Sequence, residues 1–316
     1  GHKQRRGTRR RGPGAALPRS TPAAAVPTTA GYVDVWAGLA LVGKQFLPVA
    51  RHLFSSAHPL LPSQNRVEEA VLHQALAVVR RLALAAIVVG DRGLGRKDLL
   101  IRLARAGQDF VIRIDPDILV RVGEREQLLA DYLTEQPWLG EVEWDRGEEG
   151  ILRCRARMVR GTIRFSRSGR KGDVQEATLQ FVELVPVEPW DETVVLATTL
   201  PATTIAQAAG IARWYAARWA IESGFETMKA WGLERFMVRT WRAIDRLLWL
   251  VAVAYALLVL ATRHPALRGL RRQAVRLLKR EAAFRGKLTV GKLAEAIGLD
   301  HLHLNHRRAW LHCWHC

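Results

Sequence analysis

The chain has 316 residues, of which 49% are hydrophobic and 25% are charged, proportions typical of a soluble globular protein with one large domain or two ordinary ones. Lysine and arginine number 48 against 30 aspartate and glutamate, a formal net charge of +18 that favours a polyanionic partner, with nucleic acid ahead of an anionic membrane surface. Three cysteines are too few for a disulfide framework, which excludes the disulfide-rich secreted class and indicates a reducing cytoplasm.

The amino-terminal part of the chain combines a basic arm with the first predicted strands. Residues 1–30 contain no acidic residue and no apolar periodicity, so we expect a disordered basic arm without a secretory signal. Two strands are predicted over Tyr32–Leu41 and Gln45–Val49, and a helix over Asn65–Leu84.

An α/β core is predicted next. The short apolar run Ala86–Gly90 is typical of a strand buried on both faces, and the helix Lys97–Ala106 and the strand Phe110–Ile114 follow it. This alternation of strand, helix and strand indicates a mixed α/β fold.

A block of strands interrupts this alternation at about residues 144–200, before the chain becomes helical. The predicted strands are Ile151–Met158, Thr162–Phe165, Ala177–Leu184 and Thr193–Thr199. The predicted helices are about Thr203–Trp231, Arg242–Arg263, Leu270–Phe284 and Val290–Ile297. The apolar run Leu247–Ala261 is shorter than the roughly 20 residues of a membrane span, so we interpret it as a buried helix and expect no membrane partner.

The segment from Trp214 to Lys229 contains the most informative pattern. On one continuous helix, Tyr215, Arg218, Glu222 and Lys229 fall within about 60° of one another. An apolar stripe lies beside them, formed by Trp214, Ala217, Ile221, Phe225 and Met228. A carboxylate flanked by cations suits a metal ion and phosphate oxygens, although a solvated charged face would show the same charges.

Asp91 is the second candidate, in the stretch Ile87-Val-Val-Gly-Asp-Arg-Gly-Leu-Gly-Arg96. It follows a predicted strand at the carboxyl edge of a sheet, where α/β proteins place functional groups. The glycines match neither a phosphate-binding loop nor a dinucleotide fingerprint. From the residues alone, Asp91 is as well explained by a turn or a helix cap as by a metal ligand.

The spacing Tyr-x2-Arg-x3-Glu-x6-Lys resembles the motif of the "IS four" group of DDE insertion-sequence transposases, and Asp91-Arg-Gly-x-Gly resembles the setting of that family's second catalytic aspartate. The resemblance implies a ribonuclease-H-like mixed sheet flanked by helices over residues 31–265, with a β-rich insertion at about 144–200. A helical carboxyl-terminal segment would then occupy residues 266–316.

The resemblance also implies a function, the cleavage and transfer of DNA strands with two Mg²⁺ or Mn²⁺ ions. By that resemblance Asp91 and Glu222 hold the metal ions, while Arg218, Lys229 and Tyr215 bind phosphates of double-stranded DNA. Trp219 stacks on a base or packs in the core. The implied partners are transposon ends, target DNA and a second copy of the chain in a synaptic complex, in a prokaryotic cytoplasm near the nucleoid.

The match is weakest at the amino terminus, where the family carries its first catalytic aspartate. Asp34 is the nearest candidate, but the text Gly43-Lys-Gln-Phe-Leu-Pro48 that follows it resembles the family's second strand. By that register the first-strand aspartate is lost and the chain is truncated. A DNA-binding remnant without catalysis is therefore the alternative, and a basic protein at a membrane surface is a third interpretation.

Two further features of the sequence are weaker signals of ligand binding. Cys313 and Cys316 lie among histidines and could hold zinc, although a frayed terminal tail explains them better. Trp190 could stack on a base near a DNA end, although packing in the core or a turn is the simpler explanation.

Overall fold

The structure is a computed structural model. It describes residues 32–41, 45–55, 63–146, 150–166, 174–188, 192–231, 233, 240–280 and 288–297.

The first described element is an antiparallel hairpin. Strand β1 (Tyr32–Leu41) pairs with β2 (Gln45–Ser55), and a bulge shifts the register between Ala37 and Gly38. The first strand is confirmed, while the second is six residues longer than predicted because its pairing with β1 continues to Ser55. Helix α1 (Gln64–Arg81) follows, and the Ser63 hydroxyl caps it by accepting a hydrogen bond from the Arg66 N–H at 3.2 Å.

The predicted α/β unit is confirmed. Strand β3 (Val88–Gly90) leads through a short 3-10 turn into helix α2 (Lys97–Arg105), and strand β4 (Phe110–Ile114) returns parallel to β3. Both strands belong to an eight-stranded sheet.

Four short elements that the sequence analysis did not assign follow β4. They are β5 (Leu119–Val122), β6 (Arg125–Leu128), α3 (Leu129–Thr134) and β7 (Gly140–Asp145). Strands β5 and β6 form a tight hairpin whose turn includes Gly123 at a φ of +60°, a conformation that favours glycine.

Two long strands, β8 (Ile151–Ser166) and β9 (Val174–Pro186), and the short strand β10 (Val194–Thr198) complete the sheet. The prediction of two separate strands within β8 is wrong, because β8 pairs with β9 without interruption along its length. Gly161 does not end the strand but lets β5 approach, since a Cβ there would lie 2.2 Å from Val120 Cγ1. The strand order is β3-β4-β10-β9-β8-β5-β6, with β7 also paired to β8.

Helices cover both faces of this sheet. Residues of α1, α2 and α3 pack on one face, and those of α4 (Ile205–Ala216) pack on the other. Helix α5 (Trp219–Ala230) packs with the β1–β2 hairpin and with α6 (Trp241–Arg263). The mixed sheet flanked by helices confirms the predicted fold class. Helix α7 (Arg268–Arg280) and a further helix over residues 290–297 end the described chain, the latter as predicted.

Helix α6 differs from the buried helix that was predicted. It packs through Leu248, Tyr255 and Val259, but only 22% of its most apolar 18 residues are buried. Its other face exposes apolar side chains, among them Trp249, Leu250, Val253, Leu257 and Leu260. Within the described residues, α6 is the one helix long and apolar enough to cross a membrane.

Candidate functional site

The carboxyl edge of β3 and β4 holds Asp91. Because Gly90 pairs with Ile112 in the parallel ladder, Asp91 comes level with Arg113 on the neighbouring strand. Asp91 is exposed, and its Oδ1 accepts a hydrogen bond from the Gly93 N–H at 3.0 Å, which caps the 3-10 turn. Asp91 therefore makes the capping contact that was one of its two interpretations from the sequence. A carboxylate has about four acceptor positions, so this cap is compatible with a second role.

Gly95 fixes the turn that carries Asp91. A Cβ at Gly95 would lie 2.6 Å from the Arg113 carbonyl oxygen and 3.1 Å from Ile114 Cα. Only glycine allows the turn to lie this close to the end of β4. The position of the Asp91 backbone thus depends on the close packing of the Gly95 backbone against the backbone of β4.

Two arginines and a glutamate that the sequence analysis missed lie beside Asp91. Glu192, just before β10, is ion-paired through one carboxylate oxygen with Arg92 and with Arg113, each at 2.6 Å. The contact with Arg113 is the main reason that the pKa of Glu192 lies below its usual value. The sequence contained one signal for this cluster, because Arg113 is a cation within the otherwise apolar strand Phe-Val-Ile-Arg-Ile.

The helix predicted over Thr203–Trp231 is two helices. A capping box of Thr204 and Gln207 begins α4, which ends at Ala216, and α5 begins at Trp219. Between them Ala217 and Arg218 donate backbone hydrogen bonds three residues back, so the chain tightens into a 3-10 turn. The assumption of a uniform 100° per residue across this segment was wrong.

Helix α4 buries a different aromatic side chain from the one predicted. Tyr215 is 2% exposed and packs with Trp144 at a centroid distance of 5.8 Å, whereas Trp214, predicted in the apolar stripe, is 49% exposed. Burial raises the pKa of Tyr215 against the opposing effect of the Arg218 and Arg113 guanidinium groups nearby. Asp91 and Arg218 are close enough to influence the same hydroxyl electrostatically. Tyr215 therefore connects the sheet edge with the helix junction.

Arg218 and Glu222 form an ion pair at the start of α5. The Arg218 guanidinium also lies over the ring of Trp219, 4.7 Å from its centroid, and 5.8 Å from that of Tyr215. Two buried N–H donors, Arg218 Nε and Trp219 Nε1, have no acceptor among the described residues. Unsatisfied donors are costly when buried, so this position suits an anionic ligand.

The remaining predicted DNA contacts fall on the same helix. Trp219 is half-buried, and the Arg218 guanidinium lies over its ring. Lys229 is exposed in the last turn of α5. The structure thus brings Asp91, Tyr215 and Arg218 together, with Glu222 held by Arg218.

Asp34 lies in the β1–β2 hairpin rather than in the sheet that carries Asp91. Its carboxylate accepts hydrogen bonds from Arg51 Nη2 at 2.9 Å and Trp36 Nε1 at 2.6 Å, and Arg51 also contacts Asp245. Desolvation raises the pKa of Asp34 against the opposing effect of Arg51. The contacts of Asp34 are those of a buried structural ion pair.

The described residues show no grouped set of metal ligands. Asp91 and Glu222 carry the oxygen ligands that Mg²⁺ prefers, but no three acidic, histidine or cysteine side chains in the described ranges are grouped to hold an ion. The arginine pair with Glu222 would have to open first. The cysteine-rich tail and Trp190 lie outside the described residues.

A family model described as a transposase DDE domain matches residues 60–257. The matched range begins just before α1, ends within α6 and includes Asp91, Arg113, Arg218 and Glu222. No curated protein matches the chain significantly.

Proposed function

Since the chain belongs to the family of transposase DDE domains, which the match over more than half of its length shows, we propose that it cleaves and transfers DNA strands in transposition. The fold agrees with the ribonuclease-H-like architecture expected of such a domain. We further propose membership of the "IS four" group, which the spacing of Tyr215, Arg218, Glu222 and Lys229 supports.

The observation that carries the proposal is the pair of unsatisfied donors beside Arg218. Once the Arg218 side chain, which is 21% exposed, turns away from Glu222, a DNA phosphate oxygen would supply the acceptor that Arg218 Nε and Trp219 Nε1 lack. Guanidinium–phosphate contacts are strong, charge-assisted hydrogen bonds. A phosphate that binds Arg218 would also release the Glu222 carboxylate. DNA binding would in this way free the Glu222 carboxylate to bind a metal ion.

We assign Asp91 and Glu222 as the side chains that would hold Mg²⁺ or Mn²⁺. Such ions supply an activated oxygen nucleophile and stabilise the leaving oxygen at phosphorus. Tyr215 is too deeply buried to reach DNA in this conformation, so we assign it to holding Arg113 at the edge of β4. Lys229 would contact the DNA backbone further along α5.

A second candidate, DNA binding without efficient cleavage, is favoured by the contacts of Asp34. The carboxylate is committed to Arg51, and the described residues group no three acidic side chains for a two-metal site. DNA binding is common to both candidates, and nicking of a supercoiled plasmid discriminates between them.

The test of DNA binding compares Arg218→Gln with Arg164→Gln. Both changes remove one positive charge, but Arg164 lies on β8, where it pairs with Glu176. In fluorescence anisotropy with a labelled duplex, Arg218→Gln should weaken binding about tenfold or more, since a hydrogen bond to a charged group contributes about 1.5–3 kcal/mol. It should also lower the slope of log affinity against log salt by about one.

Arg164→Gln should change the affinity less than twofold or so, because its charge lies outside the site. Circular dichroism checks that both variants fold. Equal effects of the two variants, or an affinity that does not fall with rising salt, would contradict the proposed function.

A further inference from the structure

Glu192 bridges two arginines that flank Asp91. Its Oε1 lies 2.6 Å from Arg92 Nη2 and 2.6 Å from Arg113 Nη2. Arg92 directly follows Asp91 in the chain, and Arg113 is level with Asp91 on the adjacent strand. Both guanidinium groups therefore converge on one oxygen atom beside the candidate catalytic carboxylate.

The three side chains differ in how firmly the fold holds them. The side chain of Arg113 is 19% exposed and lies near the buried Tyr215, whereas the side chain of Arg92 is 42% exposed and that of Glu192 is 67% exposed. An exposed carboxylate contributes little to stability and is readily displaced. Arg113 is thus held within the fold, while Arg92 and the acidic partner Glu192 lie nearer the surface.

We propose that Arg92 and Arg113 form a binding site for a phosphate of the DNA backbone next to Asp91, and that Glu192 occupies this site as an internal competitor until DNA displaces it. A carboxylate and a phosphodiester each offer guanidinium groups a single negative charge shared by two oxygens, so one replaces the other without a change in charge. The inference rests on the proposed function and identifies a further phosphate contact within the same site.

The competition has a measurable consequence for salt dependence. In the wild-type chain, DNA replaces a carboxylate that already offsets one of the two arginine charges, so this contact adds less to the net release of ions than two free arginines would. Without the Glu192 carboxylate, the arginines would attract solution anions, which DNA would then release. Removing the charge should therefore both tighten binding and steepen its dependence on salt.

The chain offers a matched control in Glu176. Its carboxylate also contacts two arginines, Arg121 at 3.1 Å and Arg164 at 3.7 Å, and its side chain is 49% exposed. Glu176 lies near the start of β9, and its two arginine partners lie on β5 and β8 rather than on β3 or β4. Glu192→Gln and Glu176→Gln thus change the net charge equally and release two arginines each.

The experiment measures binding of a labelled 20-base-pair duplex by anisotropy across a series of salt concentrations. Glu192→Gln should bind about five- to tenfold more tightly than wild type at low salt, with a slope steeper by about one, while Glu176→Gln stays within about twofold. The added change Arg92→Gln should remove most of the gain. Glu192→Ala should reproduce it, so a folding defect of one variant does not decide the result.

Three outcomes would overturn the inference: no difference between Glu192→Gln and Glu176→Gln, a gain that survives Arg92→Gln, or no DNA binding by either wild type or Glu192→Gln. In the first two cases, salt-dependent binding by the wild-type chain leaves the proposed function intact. The third case contradicts the proposed function as well.

Discussion

The carboxylate of Asp34 illustrates how burial and charge decide the role of a single residue. Its partner Arg51 is almost fully buried and lies between the rings of Trp36 and Trp249, with centroid distances of 5.6 and 5.3 Å. Asp245 on α6 completes the cluster. The ion pair thereby joins the β1–β2 hairpin to α6.

Asp34→Asn should destabilise the fold before it affects any chemistry. Removal of one partner leaves the buried Arg51 undercompensated, and we expect a loss of about 3 kcal/mol, the lower end for a broken buried pair because Asp245 still contacts Arg51. Urea denaturation measures this loss. Asp245→Asn, whose carboxylate is more exposed, should cost much less, and an equally small cost for Asp34→Asn would contradict the structural role.

The same variant tests whether Asp34 is the first catalytic acid. We expect weak nicking of a supercoiled plasmid in Mn²⁺, and no change in nicking per folded molecule on Asp34→Asn, since no three carboxylates in the described residues are grouped to hold an ion and Asp34 lies in a different sheet from Asp91. Robust nicking by the wild-type chain that a folded Asp34→Asn variant loses would make Asp34 catalytic.

Individual site residues were predictable from the sequence where a local pattern marked them. Asp91 follows an apolar strand, and the spacing of Arg218 and Glu222 places them one helical turn apart. Glu192 could not be found in this way, because its contact with Arg92 joins positions 100 residues apart. That contact depends on the antiparallel pairing of β10 with β4, which no local pattern reveals.

Among the elements, those with strong local signals were predicted and those defined by pairing were not. Helices α1 and α2 and strand β4 have clear periodicity or a continuous apolar run. The short strands β5, β6 and β7 depend on their neighbours for stability, and the sequence analysis did not assign them. The turn between α4 and α5 was missed because Ala217 and Arg218 are both good helix formers.

The turn that carries Asp91 gives a prediction at this scale. Gly95→Ala places a methyl group against the Arg113 carbonyl oxygen, so the fold should lose about 1–3 kcal/mol and DNA affinity should fall as the turn shifts. Gly210→Ala in α4, where a Cβ meets no atom within 4 Å, should instead stabilise the protein by up to about 1 kcal/mol. Thermal unfolding and anisotropy measure both changes. Equal behaviour of the two variants would show that Gly95 makes no close contact.

At the scale of the whole molecule, the net charge of +18 and the position of the site act together. The charge attracts DNA over a distance of about a Debye length, roughly 10 Å at 0.1 M salt, but it does not select where DNA binds. In the proposed function, the binding position is selected at the edge of β3 and β4 and at the α4–α5 junction, where cations and unsatisfied donors converge. DNA should therefore contact one limited region of a generally basic surface.

Hydrogen–deuterium exchange with and without a DNA duplex tests this claim most directly. Bound DNA should slow amide exchange at residues 91–96 and 217–222, where the site lies at the surface. The β5–β6 hairpin, from Leu119 to Leu128, should exchange at the same rate in both conditions. Protection confined to that hairpin, or spread evenly over the chain, would show that DNA does not bind at the assigned site.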